Sequence, residues 1–370
     1  MIFATPFPLP PKPERSPLNG YEGQGSPVDF WPHAAVIAPN NFVFKSLSNW
    51  SFNIAVGCSH GCSFCYVPSA ATIKQGAALD RFGVTDPDGQ WGSYVLLRRW
   101  DEKKFLASLS AAENTPKEQL KPDGNRAVIY CSTTDPYQVI YHQDCQKRKE
   151  LARAARHLVT RSLELIRDNS TLNVRILTRS PLARLDFELF KSFGHRLVFG
   201  MSLPTLRDDL SRVYEPKAPA PSQRLVTLRK AKEAGLHVYV AMAPTYPECD
   251  RDDLATTLEA VSKLEPITVF MEPINIRAEN VRRIEAHAAA LGMTLKTDVF
   301  SSNERWQTYA REALKLVHTL AKDYGLSRRL HLWPDKVLGS QTSLRAVPSK
   351  IAYKEWLEKK WSRISEWPTR

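Results

Sequence analysis

The sequence predicts an α/β domain built on a parallel sheet, and three observations lead there. From Ser51 onward, short β-rich runs alternate with longer amphipathic stretches. The 370 residues suffice for one barrel-type domain with extensions or for two ordinary domains. A composition of 43% hydrophobic and 24% charged residues is that of a globular chain rather than a disordered one.

Residues 1–45 are rich in Pro, Gly and Asn and lack a sustained apolar period, so they read as an extended arm. Six strands are predicted at 52–56, 127–131, 173–178, 196–202, 237–243 and 267–271. Helices are predicted between and after them at 101–112, 147–167, 181–193, 222–234, 252–264 and 278–291. The first strand precedes a long excursion carrying the turn chemistry Asp86-Pro87-Asp88-Gly89 and an apolar run at 94–97. A long helix over 302–324, stopped by Gly325, and a short strand near 329–332 follow. The tail, 348–370, reads as an amphipathic helix with Trp356, Trp361 and Trp367 that docks on its own domain. The domain reading is therefore an arm (1–45), a core (46–300) and a C-terminal helical extension (301–370).

A formal charge of +12 and a pI near 9.4 favour anionic partners, although a solvated basic surface on an ordinary enzyme gives the same excess. The first thirteen residues lack a positive start and are broken by Pro6, Pro8, Pro10 and Pro11, which fits neither signal peptide nor membrane span. Six cysteines in a chain of this length make no disulfide framework, so a reducing, cytoplasmic setting is expected. Cys145 and Cys249 fall in polar stretches read as exposed loops.

The chemistry concentrates in Gly57-Cys58-Ser59-His60-Gly61-Cys62-Ser63-Phe64-Cys65-Tyr66, a C-x3-C-x2-C spacing directly after the first strand. Three thiolates on one short loop can hold three corners of a [4Fe–4S] cubane, with Gly57 and Gly61 allowing the tight backbone. The fourth iron then stays open to bind a cofactor. The rival readings are a zinc knuckle, which needs a fourth ligand such as the cramped His60, and three unligated thiols.

With Phe64 as its aromatic, the segment resembles the C-x3-C-x-aromatic-C motif of the radical S-adenosylmethionine superfamily. That resemblance implies a (β/α)6 partial barrel over the core, a [4Fe–4S] cluster on Cys58, Cys62 and Cys65, and ligands gathered at the carboxyl ends of the strands. Within the superfamily, residues 50–275 resemble the spore photoproduct lyase-like branch. The likeness rests on Cys131-Ser132-Thr133-Thr134-Asp135, Leu177-Thr178-Arg179, Ser202, Glu215-Pro216, Pro221-Ser222-Gln223-Arg224 and Ala243-Pro244-Thr245-Tyr246.

The resemblance implies S-adenosylmethionine held by Phe64, Tyr66, Ser132, Thr133, Arg179, Ser202, Glu215, Arg224 and Ala243. Arg179 and Ser202 would meet its carboxylate and ribose, with Thr133, Ala243 and the Phe64 backbone around its remaining polar edge and adenine. Strand-end hydrogen bonding is the plain alternative for Ser202 and Thr133, ordinary ion pairing for Arg179 and Glu215. Cys131 and Tyr66 are the implied catalytic residues, Cys131 as a hydrogen-atom donor; a small buried core residue is the plain alternative for that thiol. Phe64 stands where the lyase has tyrosine, and Asp135, Gln138, Glu272 and Asn275 are expected on the substrate side.

The implied reaction needs a flavodoxin- or ferredoxin-type reductant, cleaves S-adenosylmethionine and abstracts hydrogen from an unreactive C–H bond. A nucleic acid or nucleotide is the first expected substrate, with Tyr137, Trp306 and Trp333 as base-stacking candidates. A small-molecule or peptide-modifying enzyme is the second reading, and a zinc-stabilised nucleic-acid module the third. Oligomeric state is open.

Overall fold

A computed structural model describes residues 26–40, 47–70, 76–121, 124–277, 279–361 and 363–369. The expectation for the arm therefore falls outside the described residues at 1–25 and 41–45. Its described part is strand: β1 (Val28–Ala34) and β2 (Ile37–Pro39). Then follow β3 (Trp50–Phe52), β4 (Ala55–Gly57), β5 (Val95–Arg99), β6 (Ala127–Tyr130), β7 (Asn173–Thr178) and β8 (Leu197–Ser202). The last three are β9 (His237–Thr245), β10 (Thr268–Pro273) and β11 (Leu330–Leu332).

Seven strands lie side by side in parallel, in the order β3, β6, β7, β8, β9, β10, β11, with β2 antiparallel at the β3 edge. Among the described residues the two ends do not pair, so the sheet is an open, partial barrel wrapped by helices. The seventh strand, β11, extends the six-stranded core by packing parallel to β10. The predicted strand at 52–56 divides in two. Its start joins the barrel as β3, while β4 turns into a small sheet ordered β1, β5, β4. Asn53 sits at the break: its amide donates to Ser132 Oγ at 3.2 Å and accepts from the Thr133 N–H at 3.0 Å. Those bonds tie the divergence to the end of β6.

Strand alternation separates two apolar layers. Val128, Val174, Phe199, Val240 and Met271 face the helices in the main core. Ile129, Val198, Tyr239 and Phe270 face inward with Trp333 and Leu47. The helix Cys145–Asn169 shows why a sequence so rich in Lys and Arg is helical. Asp144 caps its first turn through the Gln146 and Lys147 amides, and Leu151, Leu158 and Ile166 recur on the buried face. The predicted helix at 181–193 is instead a 3-10 turn (Pro181–Asp186) running into a short helix (Phe187–Lys191). Ser180 caps that turn. In the tail, helix Lys350–Trp361 buries Tyr353 and Leu357, and the Trp361 indole donates to the Pro334 carbonyl at 3.1 Å.

Candidate active site

The cysteine loop begins where β4 ends. Gly57 and Gly61 have φ of +90° and +58°, and a Cβ on Gly57 would lie 2.3 Å from the Tyr94 carbonyl. Only glycine fits such a left-handed, crowded turn. Cys58 and Cys62 are buried and Cys65 is half-buried; all three are free thiols. The Thr134 hydroxyl donates to the Gly57 carbonyl at 2.6 Å. Gln138 closes the bracket, donating to Thr134 Oγ1 and accepting from the Ser59 N–H, each at 2.6 Å.

The far side of the loop is held from helix Asn280–Ala290. Arg283 donates to the carbonyls of Ser63, at 3.1 Å, and Cys65, and pairs with Asp88. Asn280 donates to the Phe64 carbonyl at 3.3 Å. Carbonyl-directed side chains leave the sulfurs free of these restraints. His60 is not poised as a fourth ligand: its Nδ1 faces Asp135 Oδ2 at 3.5 Å, and burial holds the imidazole below its ordinary pKa.

Beside the loop, two arginines grip one carboxylate. Arg179 Nε and an Arg224 Nη each approach Glu215 at 2.5 Å, and Glu215 and Arg224 are wholly buried. Burial alone would raise the Glu215 pKa, but Arg224 and Arg179 outweigh it and hold the carboxyl below its usual range. The Arg179 guanidinium lies 5.5 Å over the Phe64 ring. Tyr246 stacks on Tyr214 with centroids 3.8 Å apart. Its hydroxyl is buried without a partner, as is one nitrogen of Arg224. An unmet donor of this kind costs about 1–3 kcal/mol, so such groups call for a ligand or water.

The sequence-predicted residues divide. Phe64, Arg179, Glu215 and Arg224 are drawn together, and Ser202 joins them by accepting from Arg224 through its carbonyl at 3.2 Å. Ser132 and Thr133 are occupied by Asn53. Ala243 is half-buried on the inward face of β9, and Tyr66 is half-buried beyond Cys65. Cys131 has φ +62°, a rare conformation away from glycine, and packs in the main core. Ile54, Asp135 and Arg98 surround its thiol, whose pKa burial pushes up. Asp135 accepts from Thr178 Oγ1 at 2.7 Å and from the Arg179 N–H at 2.8 Å, while Asn275 donates to Asp335 at 2.5 Å. Glu272 is half-buried on β10.

Two expectations are corrected. Tyr137, Trp306 and Trp333 are not free to stack on a base. Tyr137 donates to Asp186 at 3.0 Å, Trp306 donates to the Ile274 carbonyl at 2.9 Å, and Trp333 stacks on Phe270; all three are buried. Cys249 is buried beside Asp253 rather than exposed, because a turn from Tyr246 tucks it inward. Cys145, as expected, is exposed. Among the described residues no helix is long and apolar enough to cross a membrane.

The family model described as the Radical SAM superfamily matches residues 52–261, spanning β3 to the helix after β9. The chain belongs to the radical SAM superfamily. A virus protein, the uncharacterized ORF301 of Acidianus two-tailed virus, is 31% identical over 264 residues, covering 69% of this chain and 77% of that one. Among solved structures, a cysteine-to-serine mutant of spore photoproduct lyase matches at a TM-score of 0.56 and 13% identity, covering 83% of this chain and 81% of that one. The same lyase complexed with dinucleoside spore photoproduct matches at a TM-score of 0.57 and 12% identity, covering 86% and 87%. At such identities the likeness is one of fold.

Membership makes the protein an enzyme and implies a [4Fe–4S] cluster, S-adenosylmethionine and an external reductant. The donor set fits an iron cluster. Burial and Asp135 push the Cys58 thiol well up, and burial pushes Cys62 up to about 12, Arg179 only partly opposing it. Buried sulfurs like these become thiolates when a metal cation faces them. Among the described residues no three Cys, His, Asp or Glu converge as around one ion. On a cubane, each thiolate meets a different iron.

Sequence reasoning missed Arg283, Asp88, Asn280 and Asn53. Arg283 and Asn280 lie more than 200 residues from the loop carbonyls they hold, and no spacing signals such a contact. Tyr246 had a signal, since it closes the Ala243-Pro244-Thr245-Tyr246 match.

Proposed function

We propose that Cys58, Cys62 and Cys65 hold the cluster, that S-adenosylmethionine lies between the cysteine loop and the Arg179, Glu215 and Arg224 group, and that the substrate is a nucleic acid or nucleotide. The observation that carries the site is the pair of buried, unpartnered polar atoms on Tyr246 and Arg224, set beside a loop of three free thiols. When bound, such a cluster supplies the electron that splits the sulfonium into methionine and a 5′-deoxyadenosyl radical.

The chain's own residues orient and enclose. The free edge of Arg179 is placed for the cofactor's carboxylate, and the buried Glu215 fixes the direction of both guanidinium groups. The small residues Ser202, Ala241 and Ala243 on the inward faces of β8 and β9 leave width for a ligand, whereas the space beside Gly200 is taken by the Tyr239 ring. Arg283 and Gln138 fix the loop from opposite sides. The buried rings of Tyr214 and Tyr246 keep water from the pocket wall. Cys131 contributes to the core in this account, and Tyr66 lines the approach to the site.

The nucleic-acid reading draws on the +12 charge and on the fold shared with the lyase that binds a dinucleoside photoproduct. Burial of Tyr137, Trp306 and Trp333 removes one base-stacking platform and favours the second reading, a small-molecule or peptide substrate. Two assays decide. Anaerobically reconstituted enzyme should form 5′-deoxyadenosine from S-adenosylmethionine under reduction; its absence contradicts the cofactor assignment. Duplex DNA binding should weaken steeply as salt is raised, and no affinity even at low ionic strength leaves the small-substrate reading.

A further inference from the structure

Five of the eight exposed large apolar side chains among the described residues, Val139, Tyr141, Leu182, Leu185 and Val226, lie on neighbouring segments. Tyr141 is 67% exposed and Leu185 65%. The segments are tied together beneath this surface. Tyr137, in the loop after β6, donates to Asp186 of the Pro181–Asp186 turn, and Arg156 of helix Cys145–Asn169 pairs with the same carboxylate at 2.7 Å. Pro181 and Arg184 share a shallow groove of about 200 Å³ with Gln223 and Val226. An apolar patch gathered in this way marks an interaction site more often than chance exposure does.

The patch has a sign. Arg148, Lys149, Arg153 and Arg184 are exposed around it. Their hydrogen bonds run to the Cys145 sulfur, the Lys149 carbonyl and the Pro181 carbonyl, and among the described residues none of the four is ion-paired. Asp144, Glu150 and Glu188 are exposed acids nearby, but Glu150 and Glu188 pair with Lys147 and Lys191 and Asp144 caps the helix, so the uncompensated charge is cationic. The patch also has an inward connection. Val139 directly follows Gln138, whose side chain accepts from the Ser59 N–H next to Cys58. One residue and one hydrogen bond separate the exposed surface from the cysteine loop.

We propose that this rim docks an acidic one-electron carrier protein bearing flavin or an iron–sulfur centre, which reduces the cluster through the Val139–Gln138–Ser59 path. The inference rests on the cluster assignment made above. One electron leaves the carrier's reduced cofactor and enters the cluster; the carrier is oxidised, the cluster is reduced, and no bond changes. Because electron transfer falls steeply with distance, the carrier gains by docking where the cover over the loop is thin. An apolar centre with a charged margin suits a short-lived protein contact steered by charge. Nucleic-acid surfaces are more polar and more densely basic than this one.

The test uses reconstituted holoenzyme with reduced flavodoxin as one donor and dithionite as the other, reading the reduced-cluster signal by rapid-freeze paramagnetic resonance. A variant with Arg148→Glu, Lys149→Glu and Arg153→Glu should be reduced by flavodoxin at least about tenfold more slowly at low salt, the gap narrowing as salt is raised. Its reduction by dithionite should match the parent. Tyr141→Ala should slow the flavodoxin reaction with little salt dependence. Equal flavodoxin rates in variant and parent overturn the inference, as does equal slowing with dithionite. Loss of duplex DNA binding with normal flavodoxin reduction makes the rim a nucleic-acid surface and also overturns it. A parent with no dithionite-reducible signal overturns the cluster assignment itself.

Discussion

Arg175 lies in β7 and Arg179 directly follows it, four residues further along the same inward face, yet their surroundings are opposite. At the carboxyl end, Arg179 shares a buried carboxylate with Arg224, and polar atoms nearby remain unmet. At the amino end, Arg175 is fully buried with no carboxylate. Its guanidinium lies 5.0 Å from the Tyr239 and Trp367 rings and 5.5 Å from Phe270, and it donates to the Leu47 carbonyl at 2.8 Å and to Ser365 Oγ at 3.4 Å; its remaining nitrogen, like that of Arg224, has no hydrogen-bond partner and lies among the rings. What differs is the counter-charge: the mouth holds a buried carboxylate between two guanidinium groups, and in the proposed reading it receives further charge from outside, whereas the floor covers its cation with the chain's own rings. Position along one strand then separates the proposed ligand site from a structural plug.

The sharpest way to break this comparison is to remove the mouth's carboxylate. Glu215→Ala leaves two cations facing each other in a buried site, and should cost about 3–5 kcal/mol of stability. It should also abolish S-adenosylmethionine binding, measured by calorimetry. Glu215→Gln, which keeps shape and some hydrogen bonding, should fold better and still bind poorly. Full binding by a folded Glu215→Ala enzyme would refute the mouth's assigned role.

At the floor, Trp367→Ala should cost about 2 kcal/mol in urea unfolding, since it uncovers Arg175 and removes the indole bond to the His195 carbonyl. Its cofactor affinity should equal that of the parent. A tenfold loss of affinity would show that the two ends are not separate.

Per pH unit, the smallest effect is carried by protonation. His331, packed near Phe270 and Trp333, is held neutral, its pKa lowered by burial and by Arg363 to about 3. Unfolding restores an ordinary imidazole near 6.5, so below that pH the unfolded state binds the extra proton. Stability should fall as pH drops from about 6.5 toward about 3, by at most about 1.4 kcal/mol per pH unit from this group. His331→Phe should flatten that part of the profile. An unchanged slope would remove His331 as its source.

Much of this organisation was legible in the sequence because it is local. Alternating strands and helices and the cysteine spacing all act over a few residues. The division of 52–56 was hidden because β4 pairs with β5, some forty residues away across the excursion. Arg283 was hidden for the same reason. Cys249 was misread because Pro247, Glu248 and Asp250 make its neighbourhood polar, while the fold turns its sulfur toward Asp253. Trp306 and Trp333 illustrate the converse: an aromatic in sequence says nothing of which side of a helix or strand it takes until the packing is known.

The central claim is that three sulfurs on one loop carry a cubane. Iron and sulfide analysis of the anaerobically reconstituted protein, beside Cys58→Ala, Cys62→Ala and Cys65→Ala, tests it most directly. The account predicts about four irons and four sulfides per chain in the parent and loss of the cluster in each variant, with folding retained. A colourless parent holding one zinc, or a cluster that survives all three substitutions, would contradict it.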